Sequence, residues 1–142
     1  MEDELDSVDK FKRYGHHFDM LHDVERNLKY RQAIERALRR RPYMERCIDI
    51  GTGSGLLAML AAKAGCRHVT AIEAVSNLAD AAEENIRANG LQSRVALVRK
   101  HSTEVVVGPQ GHLRLPVPAP GSDSNANGCC CWLQEICRSA RS

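Results

Sequence analysis

The sequence predicts an α/β fold in which parallel strands alternate with helices, as in a Rossmann-like domain. Two observations carry this prediction. The apolar run Cys47–Ile50 is followed at once by a glycine-rich turn and then by an Ala/Leu-rich segment, Leu56–Ala64. A second run, Val69–Ile72, is rich in β-branched residues and ends on the acid Glu73. Strand, glycine turn, helix, strand and acid, in this order, form a βαβ unit that binds nucleotides.

The turn after the first predicted strand contains Gly51, Gly53 and Gly55. Glycine adopts the backbone angles that a tight strand-to-helix turn needs, and it has no Cβ to block a ligand. The helix that begins near Ser54 points unpaired N–H groups toward this turn. Glu73 stands about 20 residues further on, where a carboxylate can accept both hydroxyls of a ribose.

The spacing of the glycines distinguishes this turn from other nucleotide sites. A dinucleotide site has the pattern G-x-G-x-x-G, whereas Leu56 follows Gly55 here and the pattern is G-x-G-x-G. The lysine of a P-loop is missing. The shorter pattern, preceded by Asp49, resembles the S-adenosylmethionine site of class I methyltransferases. A glycine turn in some other α/β protein is the alternative at this point.

An N-terminal helix is predicted between residues 20 and 41, because apolar residues recur there at helical spacing. Pro42 follows the basic residues Arg39–Arg41 and ends this helix. The apolar stripe continues from the first half of the helix into the second after a small shift in phase. It consists of Met20, Val24, Leu28, Ile34, Ala37 and Leu38.

Beyond the βαβ unit, the sequence predicts one more helix and one more strand. The segment Asn77–Asn89 has helical periodicity, and Asn89-Gly90 suits the end of a helix. The segment Arg94–Arg99 has the composition of a third strand. Ser102 and Thr103 follow this strand, at the carboxyl edge where open α/β sheets bind their ligands.

The chain changes character after residue 107. Four of its five prolines lie between residues 108 and 128, in a segment with few residues that could form a core. We therefore predict a disordered N-terminus (1–10), a partial cofactor-binding domain (11–107) and a low-complexity, disordered tail (108–142). The run CCCWLQEIC forms at most one helical turn, and no fourth strand is predicted. The first strand, Cys47–Ile50, would then be an exposed sheet edge.

Composition limits the partners of the chain. A net charge of +2 over 142 residues gives no strong attraction to nucleic acid or to a membrane. No apolar run is long enough to span a bilayer, and the acidic N-terminus lacks the apolar region of a secretory signal. Cys47 and Cys66 suit a reducing compartment, cytoplasm or nucleus, and the crowded cysteines of the tail have no zinc spacing, so no metal site is predicted.

Several segments together resemble the protein arginine methyltransferases. MLHDVERNLKYRQAI is similar to the N-terminal lid helix of that family, IDIGTGSGLLAMLAAKAG to its glycine motif, and VTAIEA to the acid that ends its second strand. RKHSTEVVVGPQG is similar to the corresponding segment of the monomethylating type. The resemblance covers roughly residues 11–111. It implies an incomplete class I methyltransferase domain, with its first three strands and its lid helix.

The resemblance also implies that S-adenosylmethionine is the cofactor. By resemblance, His17 and Arg26 lie over the cofactor, and Arg26 pairs with its methionyl carboxylate. The alternatives are a surface position for His17 and a pairing of Arg26 with Asp23 or Tyr30. By the same resemblance, Ser102 and Thr103 flank the adenine. Many relatives have an acid at the position of Thr103. The implied cofactor-binding residues are His17, Arg26, Gly51, Gly53, Gly55, Glu73, Ser102 and Thr103.

The family activity is methyl transfer from S-adenosylmethionine to arginine in proteins such as histones or RNA-binding proteins. Relatives continue with a fourth strand and a hairpin whose two glutamates hold the substrate guanidinium. Here, only Asp123 and Glu135 are acidic beyond Glu104. The sequence therefore predicts a truncated family member with no catalytic residues, inactive alone. The alternatives are a non-catalytic cofactor-binding or regulatory fragment and, less favoured, an NAD-binding oxidoreductase.

Overall fold

Helices and strands alternate along most of the chain. The structure, a computed structural model, describes residues 17–107, 113–114 and 130–132. Residues 17–22 are helical (α1). The further elements are α2 (Val24–Arg40), β1 (Arg46–Ile50), α3 (Leu56–Lys63), β2 (His68–Ile72), α4 (Ser76–Ala88), β3 (Val95–Val98), a 3-10 helix (Ser102–Glu104), β4 (Val106–Val107), β5 (Leu113–Arg114) and β6 (Cys130–Trp132).

A parallel sheet with the strand order β3-β2-β1-β6 forms the centre of the fold, and β4 pairs with β5 separately in an antiparallel ladder. In the parallel sheet, Asp49 lies opposite Ala71 and Ile50 lies opposite Ile72. The strands β1 and β2 therefore end side by side, and the loops that follow them share one edge of the sheet. The predicted α/β class is confirmed, and the strands and helices predicted between residues 47 and 99 agree with the structure to within one or two residues.

The strand β6 corrects the expectation that no fourth strand exists and that this part of the tail forms one helical turn. It runs parallel to β1, with Cys131 opposite Cys47 and Trp132 opposite Ile48. A strand at an open sheet edge has a row of unpaired N–H and C=O groups, which another strand can satisfy. The edge of β1 that was expected to be exposed is therefore paired. The other predictions for residues 1–16 and for most of the tail fall outside the described residues.

The core is built from small residues on α3 and apolar residues of the sheet. Ala58, Ala61 and Ala62 are fully buried, which lets α3 pack closely on the strands. Ile34 of α2 enters the same cluster. None of the helices in the described part of the chain is both long enough and apolar enough to cross a bilayer.

The first half of the predicted apolar stripe does not enter the core. Met20, Val24 and Leu28 are exposed, whereas Tyr30 and Ile34 form the buried face of α2. The helix breaks at Asp23, whose side chain accepts a hydrogen bond from the N–H of Arg26 at 3.0 Å and so starts α2 as a new helix. This break sets the phase of the second helix independently of the first, which is why one continuous stripe was the wrong expectation.

Removing residues 129–142 is expected to destabilise the sheet and to cause aggregation. The ladder between β6 and β1 would be lost, and each hydrogen bond of such a ladder contributes roughly 0.5–1.5 kcal/mol. Amide hydrogen exchange in β1 should accelerate, and urea denaturation should show a lower free energy of unfolding. A chain that lacks only residues 133–142 keeps β6 and is the control. Identical exchange of the β1 amides in both shortened chains would contradict the placement of β6.

Candidate functional site: the glycine turn

The glycine turn, residues 51–55, joins β1 to α3 at the carboxyl edge of the sheet. The backbone N–H groups of Gly51 and Thr52 donate to the carbonyl oxygen of Ile72, at 2.8 and 3.0 Å. These bonds fix the start of the turn to the end of β2. All three glycines of the turn have positive φ, between 60° and 88°. The backbone therefore takes the left-handed conformation that only glycine adopts without strain.

Glu73 connects the glycine turn to the start of α4. Its carboxylate is buried, at 7% exposed, and directly follows β2. One oxygen, Oε2, accepts the N–H of Gly53 at 2.9 Å, and the other, Oε1, accepts the N–H of Val75 at 2.9 Å. Sequence reasoning placed Glu73 at this edge but did not identify these two bonds. Because an ionised carboxylate has about four acceptor positions, it can still accept hydroxyl groups of a ligand.

Asp49 supports the turn from inside the fold. Its side chain is 2% exposed, and its Oδ2 accepts the hydroxyl of Thr52 at 2.7 Å. It also accepts the backbone N–H of Ala58, in the first turn of α3, where Gly55 offers no side chain to cap the helix. Burial raises the pKa of Asp49 to about 6; the two hydrogen bonds oppose this rise, and the negative charge of Glu73 adds to it.

Among the residues that the structure describes, the two buried carboxyl groups have no cationic partner. Within residues 17–107, the ion pairs of the structure involve neither Asp49 nor Glu73. No group of His, Cys, Asp and Glu side chains in the described ranges is arranged to hold a metal ion either. Burying a carboxylate is costly unless a positive charge compensates it. The turn is therefore a place where a positively charged ligand would be stabilised.

His17 covers Gly53. A Cβ at position 53 would lie 2.4 Å from Cε1 of His17, so any side chain there would displace the imidazole ring. The Nε2 atom of His17 is buried and has no hydrogen-bond partner in the part of the chain that the structure describes. Buried polar atoms are normally paired, and a buried atom without a partner is often paired by a ligand or water. The structure thus brings His17 to the turn rather than leaving it on the surface.

Arg26 contacts other residues of its own helix, α2. Its guanidinium stacks over the ring of Tyr30, 4.5 Å from the ring centre, and donates to Oδ1 of Asn27 at 3.2 Å. Stacking on Tyr30 is the alternative that the sequence left open. Neither partner is charged, so in the described structure the positive charge of Arg26 is not compensated by an acid.

Ser102 and Thr103 lie at the same edge of the sheet as the turn. The N–H of Glu73 donates to the carbonyl of Val98, the last residue of β3, at 3.0 Å, so the ends of β2 and β3 are adjacent. His101 caps the 3-10 helix that follows, and its Nδ1 lies 2.8 Å from Oγ1 of Thr103. Thr103 is exposed and Ser102 half-buried, and the His101 contact was not predicted from the sequence.

Replacing Gly53 with alanine is expected to destabilise the fold more than replacing Gly51. Both positions have left-handed backbone angles, which cost a non-glycine residue roughly 1–2 kcal/mol. Only at Gly53 does the new Cβ also meet His17, since nothing lies within 4 Å of a Cβ at Gly51. Urea denaturation of the two variants separates the contact from the backbone strain. In the double variant Gly53→Ala/His17→Ala, the loss of stability beyond that of Gly51→Ala should disappear. If this additional loss persists, His17 is not its cause.

Known proteins match the chain over a segment that includes the glycine turn. The model of the ribosomal protein L11 methyltransferase (PrmA) family matches residues 31–110. Protein arginine N-methyltransferase 7 of Anopheles gambiae is 50% identical over 94 residues, which are 64% of this chain and 14% of that protein. The Xenopus laevis protein of the same name is 41% identical over 121 residues, 78% of this chain and 18% of that protein.

A solved structure extends the likeness to the fold. The Trypanosoma brucei PRMT1 enzyme-prozyme heterotetrameric complex with AdoHcy aligns with a TM-score of 0.54 at 32% identity. The alignment covers 63% of this chain and 27% of that one. That complex contains AdoHcy, the demethylated product of S-adenosylmethionine.

The matched family model and the shared fold define the class: this is a domain of the S-adenosylmethionine-dependent methyltransferases. The PrmA description and the curated relatives name different acceptors, and the PrmA match covers mainly the elements around the glycine turn. With 41–50% identity to proteins of that name, the chain belongs to the protein arginine N-methyltransferase family, as its sequence motifs predicted. It spans 14–18% of the length of these relatives. The cofactor of the family is S-adenosylmethionine.

Proposed function

We propose that the glycine turn of this chain binds S-adenosylmethionine and its demethylated product, as the cofactor half of an arginine methyltransferase. The observation that carries this proposal is the pair of buried carboxyl groups, Asp49 and Glu73, around a turn with no compensating cation within residues 17–107. S-Adenosylmethionine has a sulfonium and an ammonium group, and when bound it supplies a methyl group bonded to a positively charged sulfur. Its charges and its ribose hydroxyls suit a site of this kind.

Different residues of the chain bind different parts of the ligand. In this proposal, Glu73 accepts the ribose hydroxyls, and the unpaired Nε2 of His17 bonds a polar group of the ligand. Gly51 has open space where a side chain would be, so a ligand can approach the backbone there. Arg26 binds the methionyl carboxylate, because its charge has no acidic partner in the described structure. Ser102 and Thr103 flank the adenine of the cofactor.

Titration calorimetry with S-adenosylmethionine, its demethylated product and NAD tests the proposal. We expect binding of the first two and none of NAD, because Leu56 replaces the glycine of a dinucleotide site. Gly51→Arg should abolish binding by filling the open space. Gly65→Arg is its control, since Gly65 also has positive φ and open space but lies at the other end of α3. Binding of NAD without S-adenosylmethionine would overturn the proposal.

The chain of 142 residues is expected to show no arginine methylation on its own. A guanidinium stays protonated at neutral pH and is a poor nucleophile while its charge is delocalised. Carboxylates must orient it and localise that charge. The acids after Glu104 are Asp123 and Glu135, and neither lies in a segment that resembles the glutamate hairpin of the family. The chain therefore binds the cofactor but does not catalyse methyl transfer to arginine.

Transfer of a labelled methyl group to a glycine- and arginine-rich peptide measures this expectation. The purified chain should give the same counts as a sample without protein. Methylation at rates comparable to a full-length relative, and its loss in Gly51→Arg, would show that the chain has an acceptor site of its own.

A further inference from the structure

We infer that Asp49 makes this site favour the positively charged cofactor over its neutral demethylated product. The inference rests on the proposed function, since it concerns ligands of the same turn. S-Adenosylmethionine and its product differ by one methyl group and by the positive charge that this group places on sulfur. A residue that distinguishes them electrostatically must carry a charge that water does not screen.

Asp49 has the burial and the fixed position that such a role requires. It is 2% exposed, and its partners are the hydroxyl of Thr52, at 2.7 Å, and the backbone N–H of Ala58. Both partners belong to the chain itself and hold the carboxylate against the glycine turn. No cation within residues 17–107 pairs with it. Its raised pKa has the same physical origin, the burial of a negative charge.

Glu73 is the less suitable residue for this discrimination. Its oxygens accept the N–H groups of Gly53 and Val75, and its proposed ligand contacts are ribose hydroxyls, which both ligands possess. Removal of Glu73 should weaken both ligands alike. Asp49, in contrast, needs no hydrogen bond to the ligand and acts by charge. At an effective dielectric constant of about 20, a charge within about 10 Å changes the affinity for a cation by roughly ten-fold.

The test is a calorimetric comparison of the full chain with Asp49→Asn, at low salt and pH 7.5. Three ligands are titrated: S-adenosylmethionine, its demethylated product, and sinefungin, in which an ammonium group replaces the sulfonium. In Asp49→Asn, the affinities for the two cationic ligands should fall roughly ten-fold relative to that for the neutral product. Sinefungin separates the effect of charge from that of the methyl group.

Two matched variants separate charge from structure. Thr52→Val removes the hydroxyl that Asp49 accepts, a bond that lowers the pKa of Asp49. This variant is therefore compared with the wild type at pH 8.5, where the carboxyl group keeps its charge, and the two should show the same ratio of affinities. Asp80→Asn makes the same chemical change at an exposed position of α4 and should also leave the ratio unchanged. An unchanged ratio in Asp49→Asn, or an equal change in Thr52→Val, would overturn the inference. A wild-type chain that binds none of the three ligands would instead overturn the proposed function itself.

Discussion

Replacing Glu73 with alanine is expected to abolish measurable binding of both S-adenosylmethionine and its demethylated product. In the proposed binding mode, the variant would lose two charge-assisted hydrogen bonds to the ribose, each contributing roughly 1.5–3 kcal/mol. Together they correspond to roughly 100-fold to more than 10,000-fold in the dissociation constant. Titration calorimetry on the folded variant, with circular dichroism to verify the fold, measures this loss.

The structure shows that alanine at position 73 also removes two internal hydrogen-bond acceptors. The N–H groups of Gly53 and Val75 would lose their partner, so part of the effect could come from a disordered turn. Glu73→Gln keeps one acceptor oxygen and removes the charge, and it should weaken binding less than alanine. Glu84→Ala, at an exposed position of α4, should bind like the wild type. Equal affinities of the wild type and Glu73→Ala would refute the assignment of this site.

Replacing Asp49 with asparagine is expected to stabilise the ligand-free protein at neutral pH. Its pKa of about 6 in the fold exceeds the ordinary value of 3.8, so the folded chain binds this proton more tightly than the unfolded chain. Ionisation of Asp49 therefore opposes folding, and stability falls as the pH rises from about 4 to about 6. Above that range, the cost reaches up to about 3 kcal/mol, from about two pKa units at 1.36 kcal/mol each.

Urea denaturation at pH 7.5 and at pH 4 measures the effect. At pH 7.5, Asp49→Asn should be more stable than the wild type by about 1–3 kcal/mol, because asparagine keeps an acceptor oxygen without the charge. At pH 4 the gap should close, since Asp49 is then protonated in the fold. Asp80→Asn is the control for a general effect of removing an acid. A less stable Asp49→Asn at pH 7.5 would mean that the hydrogen bonds of the carboxylate outweigh the cost of its burial.

The sequence predicted best where short-range patterns determine the structure. The glycine spacing predicted the turn, and the apolar runs on either side of it predicted β1, α3 and β2. A strand-turn-helix unit is a local arrangement, so local patterns are sufficient to predict it. The position of Glu73 at the carboxyl edge of the sheet was predicted from the rule that parallel strands end at the same edge. The family followed from the same segments, since they combine several motifs.

The sequence failed where distant segments meet. The bond between Gly53 and Glu73 joins residues 20 positions apart, and no pattern in either segment indicates it. The pairing of β6 with β1 joins segments far apart in the sequence, and β6 is a strand of three residues, too short for periodicity to detect. The exposed half of the N-terminal stripe depends on a break at Asp23, where one capping side chain outweighed the apolar spacing.

The two hydrogen bonds accepted by Glu73 also make it possible to observe the site without a labelled ligand. The amide protons of Gly53 and Val75 lie on the two oxygens of one carboxylate, and each precedes the start of a different helix. In a nitrogen–proton correlation spectrum, a change in the charge or orientation of Glu73 would shift both resonances together. A disturbance confined to α3 or to α4 would shift only one of them. These two amides are therefore a paired spectroscopic reporter of events at a single side chain.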